Sequence, residues 1–166
     1  MKINKKEQEI LEILEKDARL TPADLSKMIG EDEEAVKSMI KRLEKEKVLV
    51  HYTALVDWSK VEDSEHVTAM IDVKVTPKRG VGFNETAERI YRFKEVSSVY
   101  LMSGAYDLSV TVEGRTMKEV ARFVSEKLSV LEEVVSTTTH FQLKKYKHDG
   151  KIFEDKQTDN RMVVSP

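Results

Sequence analysis

The chain has 166 residues, of which 40% are apolar, and this length allows one large domain or two small ones. It holds no cysteine, which excludes disulfides, thiolate metal sites and a cysteine nucleophile. With 28 basic and 30 acidic residues the net charge is −2, so attraction to nucleic acid must come from a local basic patch. The charged start and the lack of a long apolar run predict no signal peptide, no membrane span and a cytoplasmic location.

Three amphipathic helices are predicted in the first 45 residues. The first runs from Glu7 to Lys16, and Thr21-Pro22-Ala23-Asp24 combines the cap, proline and acid that begin a second helix. Gly30 can end that helix, and Asp32 can cap a third. Three short helices with a tight glycine turn between the last two predict a helix-turn-helix. The residues expected inward are Ile10, Leu11, Ile13, Leu14, Leu25, Met28, Ile29, Val36, Met39, Ile40 and Leu43.

The third helix carries a basic face that we predict to contact double-stranded DNA. Lys37, Lys41 and Lys45 recur four residues apart, with Ser38 and Arg42 beside them. The first turns of such a helix read bases in the major groove, while later cations hold phosphates. The alternative is a solvated helix face. Residues 31–34 are all acidic and would repel phosphate, so we expect weak or strongly salt-dependent binding.

A change of pattern follows the helices. The sequence VLVHYTALV after Lys47 is rich in β-branched residues, which favours a strand or wing. Tyr52 and Trp58 are expected to close the helical domain, because large aromatic residues at a domain edge usually cover a core. The polar, acidic segment Ser59–Glu65 is expected to be a linker.

The next eighty residues alternate between strand and helix patterns. Thr116 and Glu119 form a capping-box pattern that opens the second helix of this part. The order β-α-β-β-α-β predicts a ferredoxin-like sheet with both helices on one face, and hence an α+β protein. The predicted helices face inward through Ala87, Ile90 and Tyr91, then Val120, Phe123, Val124 and Leu128. The predicted elements are a strand from Val67 to Val75, a helix from Asn84 to Phe93, the strands VSSVYLM and LSVTVEG around the turn SGAYD, a helix after Thr116, and a strand from Val134 to Tyr146.

Such a sheet leaves its second face open. That face must be hydrated or covered by a second chain, and Tyr100 and Met102 or their neighbours would supply apolar contacts, so we expect at least a dimer.

The last residues lack periodicity and are expected to be a mobile tail, with an edge strand at Met162–Val164 as the alternative. The predicted domains are 1–58, helix-turn-helix with its wing; 59–65, linker; 66–147, sensing and oligomerisation; and 148–166, tail.

Two other classes of function are alternatives to a regulator. An enzyme finds no support, because the four histidines lack metal-ligand spacing, no G-x-S-x-G occurs, and RGVG lacks the residues of a phosphate loop. We therefore predict no catalytic residue, no metal site and no cofactor. A sensor or assembly protein with weak or no DNA binding is the alternative to a regulator, and the acidic start of the third helix favours it.

Four segments together resemble the Lrp/AsnC (feast/famine) family of bacterial and archaeal regulators, over about residues 5–147. They are ILEILEKDARLTPADLSKMIG, IKRLEKEKVLVHYTALVD, LMSGAYDLSVTVEG and LEEVVSTTTHFQLKKYK. The resemblance implies a DNA-binding helix-turn-helix joined to a ligand-sensing domain, dimers that often assemble into octamers, and an amino-acid effector. Departures at Asp32, Ala35-Val36, Lys47-Val48-Leu49 and His51-Tyr52-Thr53 put the transfer of DNA contacts in most doubt.

The resemblance also implies an effector site near the G-x-Y-D turn and the last strand. In this sequence those positions are Gly104, Tyr106, Asp107, Thr137 and Thr139. Asp107 suits an α-amino group, and backbone N–H groups around Gly104 could receive a carboxylate. The alternative is that Gly104 supplies a turn conformation and Asp107 caps that turn.

Overall fold

The computed structural model describes residues 2–62, 65–77, 80 and 82–153. The chain divides into two compact units, residues 1–56 and 57–166, which we call the helical unit and the sheet unit. The finer domain boundaries inferred from sequence stay a prediction.

The helical unit consists of three helices, α1 (Lys5–Lys16), α2 (Pro22–Ile29) and α3 (Glu33–Lys45), as predicted. Thr21 and Asp24 form the expected capping box, and Asp32 caps α3. Gly30 ends α2 in the left-handed conformation, with φ 68° and ψ 39°, and its N–H donates to the Ser26 carbonyl. This glycine therefore ends α2 and forms the turn that leads into α3.

The core of the helical unit is small. Met28 is 59% exposed, so its predicted inward position is wrong. The buried face of the two-turn helix α2 contains Leu25 and Ile29, which are four residues apart, and Met28 does not lie on this face. The buried apolar side chains are Ile10, Leu14, Leu25, Ile29, Val36 and Leu43, with Leu11, Ile13, Leu20, Met39, Ile40 and Leu49 packed against them.

The segment after α3 is not a strand within the chain. The N–H groups of Val48 and Leu49 donate to the Leu43 carbonyl, and residues 50–57 pair with none of the described strands. A strand requires a ladder partner, which composition alone does not provide. Trp58 lies in the sheet unit, 47% exposed and 6.2 Å from the His66 ring centroid, so the prediction that it closes the helical domain is wrong.

The sheet unit has the predicted βαββαβ order. A short 3₁₀ turn, Trp58–Lys60, precedes it. The sheet order is β2-β3-β1-β4 with every neighbouring pair antiparallel, which confirms the ferredoxin-like topology. The elements are β1 (Val67–Val75), α4 (Asn84–Tyr91), β2 (Val96–Leu101), β3 (Leu108–Gly114), α5 (Met117–Phe123) with a π-helical turn at Val124–Leu128, and β4 (Val134–Phe141).

Strand register separates the two faces of the sheet. Ile71 lies between Val110 of β3 and Thr139 of β4, while the next residue, Asp72, lies between Ser109 and Thr138. Alternation places the first set toward the helices and the second on the open face.

Tyr91 is 56% exposed, so its predicted inward position is wrong. The helix-side core contains Ala69, Ile71, Val73, Val75, Ile90, Leu108, Val110, Val112, Val120, Phe123, Leu128 and Leu131.

A small hairpin follows the sheet where a tail was predicted. It consists of β5 (Lys147–His148) and β6 (Lys151–Ile152), and β4 ends at Phe141 instead of Tyr146. Asp149 and Gly150 make the turn with positive φ angles of 42° and 74°. Asp-Gly is a strong hairpin signal, and sequence reasoning missed it. The predicted edge strand at Met162–Val164 lies outside the described residues.

Candidate functional site

The basic face of α3 is partly neutralised by its own helix. The Lys37 ammonium lies 2.8 Å from a Glu33 carboxylate oxygen and 2.7 Å from one of Glu34. Hydrogen bonds to Glu33 and Glu34 raise the pKa of Lys37 well above its usual range. Lys37 is therefore held by two of the acidic residues that were expected to weaken DNA binding.

Arg42 is held by a carboxylate that the sequence analysis did not single out. Its Nε donates to Glu7 Oε1 at 2.6 Å, and its Nη2 contacts Glu7 Oε2. Glu7 is fully buried, and its second oxygen also accepts the Asn4 N–H, closing a capping box. The hydrogen bonds from Arg42 and Asn4 lower the pKa of Glu7, although burial opposes them. The N-x-x-E pattern at Asn4 could have predicted the cap, but not a partner 35 residues away.

Three members of the predicted DNA-contact set remain available on α3. Ser38, Lys41 and Lys45 are exposed. Within the described part of the chain, no carboxylate lies within ion-pair distance of Lys41 or Lys45. They are four residues apart, so they share one side of the helix.

The turn between β2 and β3 joins strand β1 through Asp107. The Asp107 N–H donates to the Val73 carbonyl at 3.0 Å, and Asp107 Oδ2 accepts the Val75 N–H at 2.8 Å. One carboxylate oxygen of Asp107 thus holds the turn against β1. Gly104 is exposed, is not left-handed, and has open space where a Cβ would lie. Backbone conformation therefore does not explain glycine at that position.

The two predicted threonines lie on the other side of β1 from this turn. Thr137 pairs with Val73 and Thr139 with Ile71, so both side chains share the helix-side face, half-buried. Val73 thus connects Asp107 on one side to Thr137 on the other, at one end of the sheet. Tyr106 is half-buried in the same turn as Asp107. The structure brings Gly104, Tyr106, Asp107 and Thr137 to one end of the sheet, in two groups separated by β1, whereas Thr139 lies opposite Ile71 in the middle of β1.

The open face of the sheet holds a groove of about 600 Å³. Met70, Thr111 and Tyr100 lie along it, with Met70 51% and Tyr100 60% exposed. His140 Nε2 lies 3.1 Å from Asp72 Oδ2 on this face. This mixed polar and apolar surface, with His140 beside Asp72 across the strands, differs from the predominantly apolar helix side.

Two features are absent from the described residues. They contain no group of three or more histidine, aspartate or glutamate side chains that could hold a metal ion. None of the helices in the described ranges is both long and apolar enough to cross a membrane.

These observations define a class of protein: a helix-turn-helix with exposed cations on its third helix, followed by a ferredoxin-like sheet unit, is the architecture of a transcription regulator with a sensing domain. Residues 3–50 match the winged helix-turn-helix DNA-binding family, and residues 68–152 match the Lrp/AsnC ligand binding domain. The chain belongs to the Lrp/AsnC family. It is a transcriptional regulator with a helix-turn-helix DNA-binding domain and a ligand-binding domain.

Relatives support this assignment, and solved structures share the fold. The HTH-type transcriptional regulator YugG of Bacillus subtilis strain 168 is 64% identical over 166 residues, covering 100% of both chains. An HTH-type regulator of Pyrococcus horikoshii is 32% identical over 137 residues, 82% of this chain and 90% of that one. Escherichia coli AsnC shares the fold at 19% identity, with a TM-score of 0.67 over 89% of this chain and 97% of its own. A Neisseria meningitidis regulator solved as an L-Met complex shares it at 24% identity, with a TM-score of 0.70 over 89% and 94%.

Proposed function

We propose that α3 reads an operator in the major groove, with Ser38 near the bases and Lys41 and Lys45 on phosphates. The observation that carries this proposal is the pair of exposed lysines without a carboxylate partner in the described ranges. Cations that are free of internal ion pairs can exchange their counterions for phosphate. Arg42, tied to Glu7, orients α3 against α1, and Lys37 contacts DNA after release from Glu33 and Glu34.

The test is selection of genomic fragments by the purified protein, comparing wild type with the double variant Lys41→Ala, Lys45→Ala. We expect wild type to enrich a discrete site and the variant to lose it. Lys5→Ala, Lys16→Ala on α1 removes the same charge from exposed positions and serves as the control. Equal enrichment by wild type and the α3 variant contradicts this assignment of the contact surface.

We propose further that the sheet unit oligomerises and binds an amino acid between copies of the chain. The ligand-binding family match and the L-Met complex of the Neisseria regulator support the class of effector. Open space at Gly104 suits a carboxylate approaching the backbone, and Asp107 suits an ammonium group. The two groups of site residues, Gly104, Tyr106 and Asp107 and then Thr137 and Thr139, would be completed by a second copy.

Effector binding would change the assembly, as a dimer or up to an octamer, and so change which pairs of α3 helices reach successive grooves. A coupling free energy of about 1–3 kcal/mol suffices for a useful switch. Calorimetric titration with each of the twenty amino acids, and sedimentation with and without the one that binds, tests this. An amino acid that binds without altering assembly size or operator affinity contradicts the mechanism. The protein so described is cytoplasmic and acts without catalysis.

A second function, sensing or assembly with weak or no DNA binding, has one observation in its favour. Lys37, at the end of α3 that would enter the groove, is already paired with Glu33 and Glu34. Titration against random duplex at low salt separates the two functions, because a regulator retains non-specific affinity and a pure sensor does not.

A further inference from the structure

We propose that the C-terminal hairpin is a second DNA-contacting element, which binds phosphates irrespective of base sequence. We define this basic hairpin as residues 144–153. The inference rests on the proposed DNA binding by α3, and it adds a second surface to it.

The helical unit has little net charge with which to attract DNA. Residues 1–60, which include all of α3, carry 12 basic and 13 acidic residues, a net charge of −1. Helix α3 itself carries four basic and three acidic residues, and two of the four cations, Lys37 and Arg42, are held by carboxylates. The unit that must approach a polyanion therefore has little net attraction for it.

The basic hairpin has the opposite character. Its ten residues carry four lysines, Lys144, Lys145, Lys147 and Lys151, against one acid, Asp149, for a net charge of +3. Within the described residues, no carboxylate lies within ion-pair distance of Lys145, Lys147 or Lys151. Like charges so close together repel one another, and this repulsion falls when they bind an anion.

The local structure holds these charges on a defined ribbon. The turn at Asp149 and Gly150 closes the hairpin, and the Phe153 N–H donates to the Tyr146 carbonyl at 3.0 Å. Lys144 Nζ lies 4.6 Å from the Tyr146 ring centroid, and Lys145 Nζ lies 5.2 Å from that of Phe153. Ring contacts of this kind limit the motion of both lysines.

Duplex DNA is the polyanion that fits best. Lys147 pairs with Ile152 and Lys151 with His148, so the two lysines lie on opposite faces of the ribbon. A ribbon that enters a groove edge-on therefore presents one lysine to each of the two phosphate backbones, and lysine binds phosphate as a point charge. The hairpin carries no arginine, asparagine or glutamine for bidentate contacts with bases, so its contribution is expected to be independent of sequence.

The test uses the full chain and the double variant Lys147→Gln, Lys151→Gln, with duplex affinity measured across a series of salt concentrations. Each lost phosphate contact reduces the slope of log Kd against log salt by about 0.9, so we expect a reduction of about 2 for the pair. Operator and random duplex should lose affinity by the same factor. Lys94→Gln, Lys118→Gln removes the same charge from exposed positions elsewhere in the sheet unit.

The outcomes separate this inference from the function on which it rests. A hairpin variant that keeps the wild-type affinity and salt slope overturns the hairpin contact alone. The same result follows if the control variant loses as much as the hairpin variant. Loss of binding to phosphatidylserine vesicles with unchanged duplex binding assigns the hairpin to membranes and also overturns it. A wild-type chain that binds no duplex at all overturns the proposed function itself.

Discussion

The helical unit and the sheet unit differ in the size of the apolar core that supports their polar contacts. Among the described residues, six buried apolar side chains form the helical core, whereas twelve form the core of the sheet unit. Both units add helix caps and an ion pair with a buried glutamate: Asn4, Thr21, Asp32 and the pair of Glu7 with Arg42 in the helical unit, and Thr116 and the pair of Glu133 with Arg89 in the sheet unit. Small domains bury a smaller share of their surface, so each polar contact carries more of their stability. A small core is thus supplemented by specific hydrogen bonds.

The largest effect is expected in the sheet core. Ile71→Ala removes a fully buried side chain from the central strand and should cost about 4 kcal/mol of unfolding free energy. Met70→Ala, on the neighbouring residue of the open face, should cost far less, because that side chain is 51% exposed. Urea unfolding, followed through hydrogen exchange of β1 and β3 amides, measures the loss of unfolding free energy in both variants. Equal losses would contradict the separation of the two faces.

The next effect concerns the polar anchor of the helical unit. Arg42→Met leaves the buried Glu7 carboxylate without its main partner, and we expect a loss of unfolding free energy smaller than that of Ile71→Ala, since solvent reaches the arginine side. Hydrogen exchange of α1 and α3 amides reports the change. Lys41→Met on the neighbouring residue is the control. Adding Glu7→Gln to Arg42→Met should restore part of the loss, and no recovery would contradict the pairing.

The same anchor predicts a dependence on acid. The hydrogen bond from Arg42 holds the pKa of Glu7 below its ordinary 4.5, so the ionised carboxylate stabilises the folded state. This stabilisation is complete above pH 4.5 and is lost as pH falls through the folded-state pKa. Unfolding free energies of wild type and Glu7→Gln should therefore converge as pH falls from 7 to 3. A constant difference over that range would show that Glu7 ionisation contributes nothing.

The smallest effect is expected at a helix cap. Thr21→Ala removes the side chain that accepts the Asp24 N–H at the start of α2, at a cost of about 1 kcal/mol. Thr53→Ala, at an exposed position after the helices, should change stability by less than about 0.5 kcal/mol. Thermal unfolding compares the two. Equal midpoints would show that the cap is dispensable.

Local signals predicted most of the fold. The caps of α2 and α3, the Gly30 turn and the alternation along β1 each depend on neighbours within a few residues, and all were confirmed. The predicted capping box at Thr116 forms only in half, because Thr116 accepts the Glu119 N–H but Glu119 Oε2 accepts the N–H of Arg115. The failures involve distant partners. The burial of Glu7 depends on Arg42. The segment after α3 has the composition of a strand, but it has no ladder partner among the described strands, and composition does not specify such a partner. Patterns of residue type do not encode such pairings.

The candidate sites follow the same division. The basic face of α3 was predictable from spacing, but the pairing of Lys37 and Arg42 with carboxylates was not. Asp107 was predicted as a ligand or as a cap of its own turn, but one of its carboxylate oxygens accepts the Val75 N–H of β1, 32 residues away. The orientation of Thr137 and Thr139 toward the helices follows from strand register, which sequence alone leaves open.

The turn at Gly30 has a consequence in terms of chirality. Its φ of 68° belongs to the region that L-residues avoid and that D-residues prefer. In a chemically synthesised chain, D-alanine at position 30 would favour the native turn in the unfolded ensemble, whereas L-alanine would oppose it. The angle at which α3 leaves α2 is thus set by a position whose ideal occupant is absent from the genetic code, and glycine is the achiral substitute that translation can supply.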